Sequence, residues 1–189
     1  MHPIVEFLDD IYPLSDACKL RISGILKKKY VSKRAYLLRS GETCDSIAFV
    51  AEGLLRCYRV RDEKELTVWL RREGSVVVSM ESYYDGVSSR EFIQAVEDSE
   101  LFFISKDEEE SLYEEFPEFN GVGRLLTRRE LRWHADELWN IRTMTGMQRY
   151  QHLLEQDPEL VRRVPLAYLA SYLRLEPESL SRIRRQLSK

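Results

Sequence analysis

The sequence predicts an α+β chain in which helices flank a central run of short strands. Three observations carry this. From the stretch "AYLLRSGETCDSIAFVAEG" to "ELFFIS", short β-branched and aromatic segments alternate with turn residues. A nearly breaker-free amphipathic stretch runs from about Glu118 to Arg142. Beyond it lie two short apolar stripes, each opened by a proline, Pro165 and Pro177.

Taken in order, residues 3 to 29 read as helical, with Ile4, Phe7, Leu8 and Ile11 on one face. Gly41, Gly53, Gly74 and Gly86 punctuate the strand region, which holds "IAFVAEG", "LLRCYRV", "LTVWLRR" and "EFIQAVE" between turns such as "RDEKE" and "YYDG". Strands this short and regular suit a sandwich or barrel. After Ser105 the segment "SKDEEESLYEEF" begins a helix, since serine caps exposed amides and acids suit the positive end of the helix dipole. Pro117 ends or kinks it. The long helix that follows carries Leu125, Leu131, Ala135, Leu138 and Ile141, which pack either on the sheet or on the same helix of a second subunit. Gly146 breaks the pattern, "MQRYQHLLEQ" forms another helix before "DPELVRRVP", and this region is the expected hinge between domains.

Composition narrows the function classes. With 43% hydrophobic and 32% charged residues in 189, the chain can bury a core, and it has no apolar run of about 18 residues to span a bilayer. The N-terminal stretch lacks the basic start and small-residue cleavage site of a signal peptide, so a cytoplasmic protein with no membrane partner is expected. Cys18, Cys44 and Cys57 are odd in number and lack CxxC spacing, which favours buried thiols. His2, His134 and His152 are scattered, so no metal, cofactor or catalytic residue is expected. An enzyme on a cupin-like barrel fares badly for the same reason, because residues 30 to 105 contain no histidine. The net charge of −3 conceals an asymmetry: from Val161 onward seven basic residues face two acids, Glu176 and Glu178. An acidic body with a basic end is the footprint of a polyanion-binding module.

In that basic end, Leu166, Leu169, Ala170 and Leu173 fall at i, i+3, i+4 and i+7, and Leu180, Ile183 and Leu187 make a second stripe. Two short helices joined by "RLE" follow the helix-turn-helix plan, in which the second helix enters the major groove of double-stranded DNA. Opposite the second stripe stand Glu178, Ser181, Arg182 and Arg185, again at i, i+3, i+4 and i+7. An arginine fork bonds guanine, a glutamate accepts from cytosine, and serine bonds a base or phosphate oxygen. Arg174, with Arg162 and Arg163, is expected to meet phosphates. Arg174 also stands where glycine would adopt φ > 0 more easily, and Glu176 caps less well than serine. The alternative reading is a ligand-sensing or protein-interaction module with no sequence-specific DNA binding.

The stretch "VPLAYLASYLRLEPESLSRIRRQL" resembles the DNA-binding end of bacterial Crp/Fnr-type transcription regulators, and the resemblance extends over nearly the whole chain. It implies an N-terminal helix with a cyclic-nucleotide-binding-like, jelly-roll-like β-roll over residues 1–117. A long dimerisation helix over 118–143 and a helix-turn-helix domain over 144–189 follow. The "ExxSR" pattern of Glu178, Ser181 and Arg182 matches the family's base-reading positions, and Ser179 a phosphate-contacting one. The implied partners are a palindromic operator, a second copy of the chain, RNA polymerase and a small-molecule effector of unknown identity.

Relatives that bind cyclic AMP use an "FGE" turn and a later Arg-Ser or Arg-Thr pair. Here the corresponding turn reads Val77, Val78, Ser79, and the later segment "SSREF" sets Arg90 one position out of register. Val78 in place of glycine obstructs the close backbone approach that amide binding of an anion requires. The expected effector is therefore not cyclic AMP. The pocket either takes another ligand, with Glu81, Tyr83 and Arg90 as candidates, or serves structure alone. The sequence stops two residues after Leu187, where many relatives continue into a β-hairpin wing, so a short wingless form with salt-sensitive DNA binding is expected.

Overall fold

The computed structural model describes residues 2–187; Lys189 and the end at which a wing would begin lie outside the described residues. Its order is α1 (Pro3–Ile11), α2 (Asp16–Ile25), β1 (Lys27–Val31), β2 (Tyr36–Leu38), β3 (Ser46–Glu52), β4 (Leu54–Arg61), β5 (Lys64–Arg72), β6 (Val76–Val77), α3 (Met80–Asp85), β7 (Phe92–Ala95) and β8 (Ser99–Ser105). Then come α4 (Lys106–Glu115), α5 (Pro117–Thr143), α6 (Gly146–Gln156), α7 (Pro158–Arg163), α8 (Leu166–Tyr172) and α9 (Pro177–Leu187).

Two four-stranded antiparallel sheets, ordered β1-β8-β3-β6 and β2-β7-β4-β5, form the roll. The β4–β5 hairpin closes on Asp62 and Glu63, both at positive φ, as the twist of a two-residue hairpin loop requires. Gly53, between β3 and β4, sits at φ 103, and a Cβ there would meet the Ser99 backbone at 2.7 Å. Three apolar clusters fill the molecule. One joins α1, α2, α4 and the start of α5 to the outer face of β3 and β8, through residues such as Val5, Ile22, Phe49, Ile104, Leu112 and Val122. The second lies between the sheets and includes Leu55, Cys57, Trp69, Ile93 and Leu101. The third joins Leu54, Leu70 and Val96 of the roll to Tyr150, Leu160, Val161, Val164, Leu169 and Leu180 of the C-terminal helices.

Several expectations change. The helical stretch over 3–29 is two helices, because Pro13 and the Ser15 cap, whose hydroxyl accepts from the Cys18 amide at 3.3 Å, restart the chain, and Lys27 already belongs to a strand. The "YYDG" turn is the end of α3, with Gly86 in the left-handed conformation after it. The expected break near Gly146 falls between Thr143, where α5 ends, and Gly146 itself, which opens α6 under a Thr145–Gln148 capping box. Within the expected hinge region, "DPELVRRVP" forms the capped helix α7, packed in the third cluster. Cys18 and Cys57 are buried but Cys44 is only half-buried. Burial pushes the Cys18 thiol up to about 11. No helix among the described residues is long and apolar enough to cross a membrane.

Candidate nucleic-acid interface

The C-terminal pair is built around Leu169, Ala170, Leu173 and Leu180, all buried. Ala170 presents no side chain beyond Cβ where α8 and α9 cross. The connection is a Schellman turn: the Leu175 amide bonds the Ala170 carbonyl at 2.9 Å, the Arg174 amide bonds Ser171 at 3.1 Å, and Arg174 takes φ 54. Glycine would adopt this conformation without strain, and Arg174 adopts it with its side chain exposed.

With Leu180 buried, the opposite face of α9 turns outward. Glu178, Arg182 and Arg185 are exposed, and Ser179 and Ser181 are half-buried. Among the described residues, Glu178, Arg182 and Arg185 have no hydrogen-bond or ion-pair partner. The neighbouring arginines differ. Arg162 pairs with Glu159 at 2.7 Å on the surface. Arg163, expected to meet phosphates, turns the other way: its guanidinium donates to Glu73 at 2.8 and 2.9 Å and to Glu97 at 2.6 Å.

That ion cluster belongs to a broad contact between the C-terminal helices and the roll. Glu73 follows β5 and also accepts from the Gly53 amide at 2.8 Å, and the Arg163 guanidinium holds its carboxyl down at about 2. Arg72 donates to Asp157, the α7 cap, at 2.7 Å. The Ser171 hydroxyl donates to the Glu65 carbonyl and accepts from the Thr67 amide, both at 2.9 Å, so α8 covers part of the open edge of β5. Arg56, 1% exposed, lies with its guanidinium 3.9 Å from the centre of the Tyr168 ring and bonds Thr67 and Glu65.

The three residues suggested for an effector do not converge on one cavity. Glu81 and Arg90 form an ion pair with each other on the surface. Tyr83 is buried, and its hydroxyl donates to Glu109 of α4 at 2.5 Å. Burial and that carboxylate push its ionisation upward. The corresponding interior of the roll holds residues that the sequence reading passed over. Trp69 and Cys57 pack between the sheets, and burial pushes the Cys57 thiol upward. Beside them the buried Glu91 carboxylate accepts from Ser79 at 2.9 Å and from Arg59 at 2.8 Å, while its amide donates to Ser89 at 2.9 Å. Ser89 and Glu91 are two residues apart leading into β7, and this alternation is the signal that would have found them.

α5 carries an apolar stripe that has no partner among the described residues. Phe119 and Val122 are buried at its start and Trp133 packs on the roll, but Leu131, Leu138 and Trp139 are 70, 48 and 66% exposed. Leu131, Ala135 and Leu138 lie on one face. Leu131 and Ala135 stand exposed, whereas Leu138 and Ile141 border a groove that Leu66 and Val68 of β5 also line.

Comparison with known proteins agrees with this architecture. Residues 28–116 match the family model of the cyclic nucleotide-binding domain. No curated protein sequence matches significantly. Among solved structures, FixK2 from Bradyrhizobium japonicum superposes with a TM-score of 0.72 at 20% identity, covering 87% of this chain and 85% of that one. CLP, the c-di-GMP-responsive global regulator of Xanthomonas campestris, gives 0.71 at 17% identity over 92% of both chains. A CooA variant from Carboxydothermus hydrogenoformans gives 0.70 at 18% identity, covering 96% of this chain and 82% of that one. The chain is thus similar in sequence to the cyclic nucleotide-binding domain over residues 28–116, and in fold, over most of its length, to FixK2, CLP and CooA.

Proposed function

We propose that the chain is a dimeric, sequence-specific DNA-binding transcriptional regulator of the Crp/Fnr type, without catalysis, in which α8 and α9 form the helix-turn-helix. The observation that carries this is the outward face of α9, where Glu178, Arg182 and Arg185 stand exposed and unpaired beside Ser181. Charged groups held on a packed helix with no partner of their own are available to base edges: Arg182 to guanine, Glu178 to cytosine, Ser181 and Arg185 to a base or phosphate. Arg174 and Ser179 contact phosphates and set register. Leu131, Ala135, Leu138 and Trp139 pair with the same stripe of a second copy, which brings two reading helices to a two-fold-symmetric site.

Cyclic AMP is not the effector in this reading. Within the roll, Arg59 is already paired with the Glu91 carboxylate, which Ser79 also bonds, so this arginine is not free for a cyclic phosphate. Glu81, Tyr83 and Arg90 serve the fold.

The test is selection of binding sites from a randomised duplex pool by the purified protein with no added nucleotide, beside Arg182→Ala. The expected result is a two-fold-symmetric site whose enrichment falls with Arg182→Ala, at a cost of about 1–3 kcal/mol per lost base fork. Failure to enrich any site would remove the DNA-reading role and leave α9 as a surface for a protein partner.

A further inference from the structure

Arg163 sits in the basic end of the sequence, yet its guanidinium bonds carboxylates of the roll. Two carboxylates from two different turns of the roll enclose it, Glu73 after β5 and Glu97 after β7. Its side chain is 20% exposed, and both pairs are bidentate or nearly so, the geometry in which an arginine fork fixes direction as well as distance. Glu73 also accepts from the Gly53 amide, which fixes the acceptor from the side of the roll. Around this knot the Arg72–Asp157 pair, the Ser171 bonds to the β5 edge and the Tyr168 ring on Arg56 all join the same two bodies. The apolar cluster of Leu54, Leu70 and Val96 with Leu160, Val161 and Leu169 fills the space between them.

All of these contacts use α7, α8 and the cap of α7. None uses Glu178, Arg182 or Arg185, so docking leaves the outward face of α9 uncovered. We infer that Arg163 is a positioning residue: clamped by Glu73 and Glu97, it fixes the angle of α8 and α9 against the roll and holds the reading face in its DNA-competent direction without a small molecule. This rests on the proposed DNA-reading role for its consequence, though the clamp itself does not. Two helices that must enter successive grooves tolerate little angular freedom, so a clamp in each chain converts a loose pair into a pre-oriented one.

The test uses two variants of the full chain. Arg163→Ala removes the clamp from the helical side. Glu97→Gln weakens it from the roll, and by removing a negative charge it would tighten DNA binding if electrostatics alone mattered. Backbone hydrogen exchange of α8 is followed without DNA, and affinity for a duplex enriched by the wild type is followed against salt. The expected result is exchange faster by about tenfold or more in both variants. With it comes weaker binding to the enriched duplex at an unchanged salt slope. Unchanged exchange in both variants would overturn the clamp. Tighter binding by both would make it a brake and overturn the inference. A salt slope reduced by about one for Arg163→Ala, with Glu97→Gln silent, would make Arg163 a phosphate contact instead. If the wild type enriches no duplex, the DNA-reading role falls, and the exchange measurement still decides the clamp.

Discussion

Arg174 and Arg163 lie eleven positions apart in the same basic stretch, and the structure separates their roles completely. Arg174 tops a Schellman turn at φ 54 with an exposed side chain, a conformation that costs a non-glycine residue on the order of 1 kcal/mol. Arg174→Gly is therefore expected to raise the melting temperature by about 1–4 °C. If the side chain meets a phosphate, the same change weakens DNA binding and lowers the salt slope by about one, and calorimetry beside a salt titration reads both effects. The left-handed turn was legible from sequence, because the helix-turn-helix spacing put a residue there whatever its type. The partner of Arg163 was not. Glu97 and Glu73 are 66 and 90 positions away, and nothing local distinguishes an arginine aimed at a carboxylate from one aimed at water.

Among the elements, those with a strong local signal were readable. Ser105 caps α4 through a full capping box with Glu108, as the serine followed by acids suggested, and α4 ends at Glu115, ahead of Pro117, which was read as its end and is also the first residue of α5. β1 was read as helix because four of its five residues, Lys27 to Tyr30, are exposed, and an exposed edge strand shows no apolar alternation. α3 has six residues, too few for a helical period to register. The exposed stripe of α5 was legible as apolar but not as to its partner. Since Leu131 is 70% exposed and buries little within its own chain, Leu131→Glu is expected to yield a monomer in sedimentation or light scattering with little loss of thermal stability. A wild type that is already monomeric would contradict the symmetric pairing.

Across the whole molecule, the third apolar cluster and the Arg163 knot make the roll and the C-terminal helices one packed body, where the sequence pattern suggested a hinge. The pattern could not reveal this, since the residues that meet are distant in sequence and each is unremarkable in its own element. The joint has a predictable pH dependence. The Glu73 carboxyl is lowered from its usual 4.5 to about 2, so its contribution is full above the unfolded value and is lost as pH falls from about 4.5 toward about 2. Urea unfolding measured between pH 6 and pH 3 is expected to show stability falling through this window, with a shallower fall in Glu73→Gln.

The Ser171 hydroxyl on the β5 edge carries one more consequence. Thr67 N–H and Glu65 C=O would otherwise stand open at the rim of a sheet, above the apolar Leu54, Leu70 and Val96. A fragment cut after α5 would bare both at once, offering a neighbouring copy a strand to pair with and a greasy floor to settle on. Dissecting the protein into separate halves thus invites clumping of the first, and its behaviour is best studied with the chain intact.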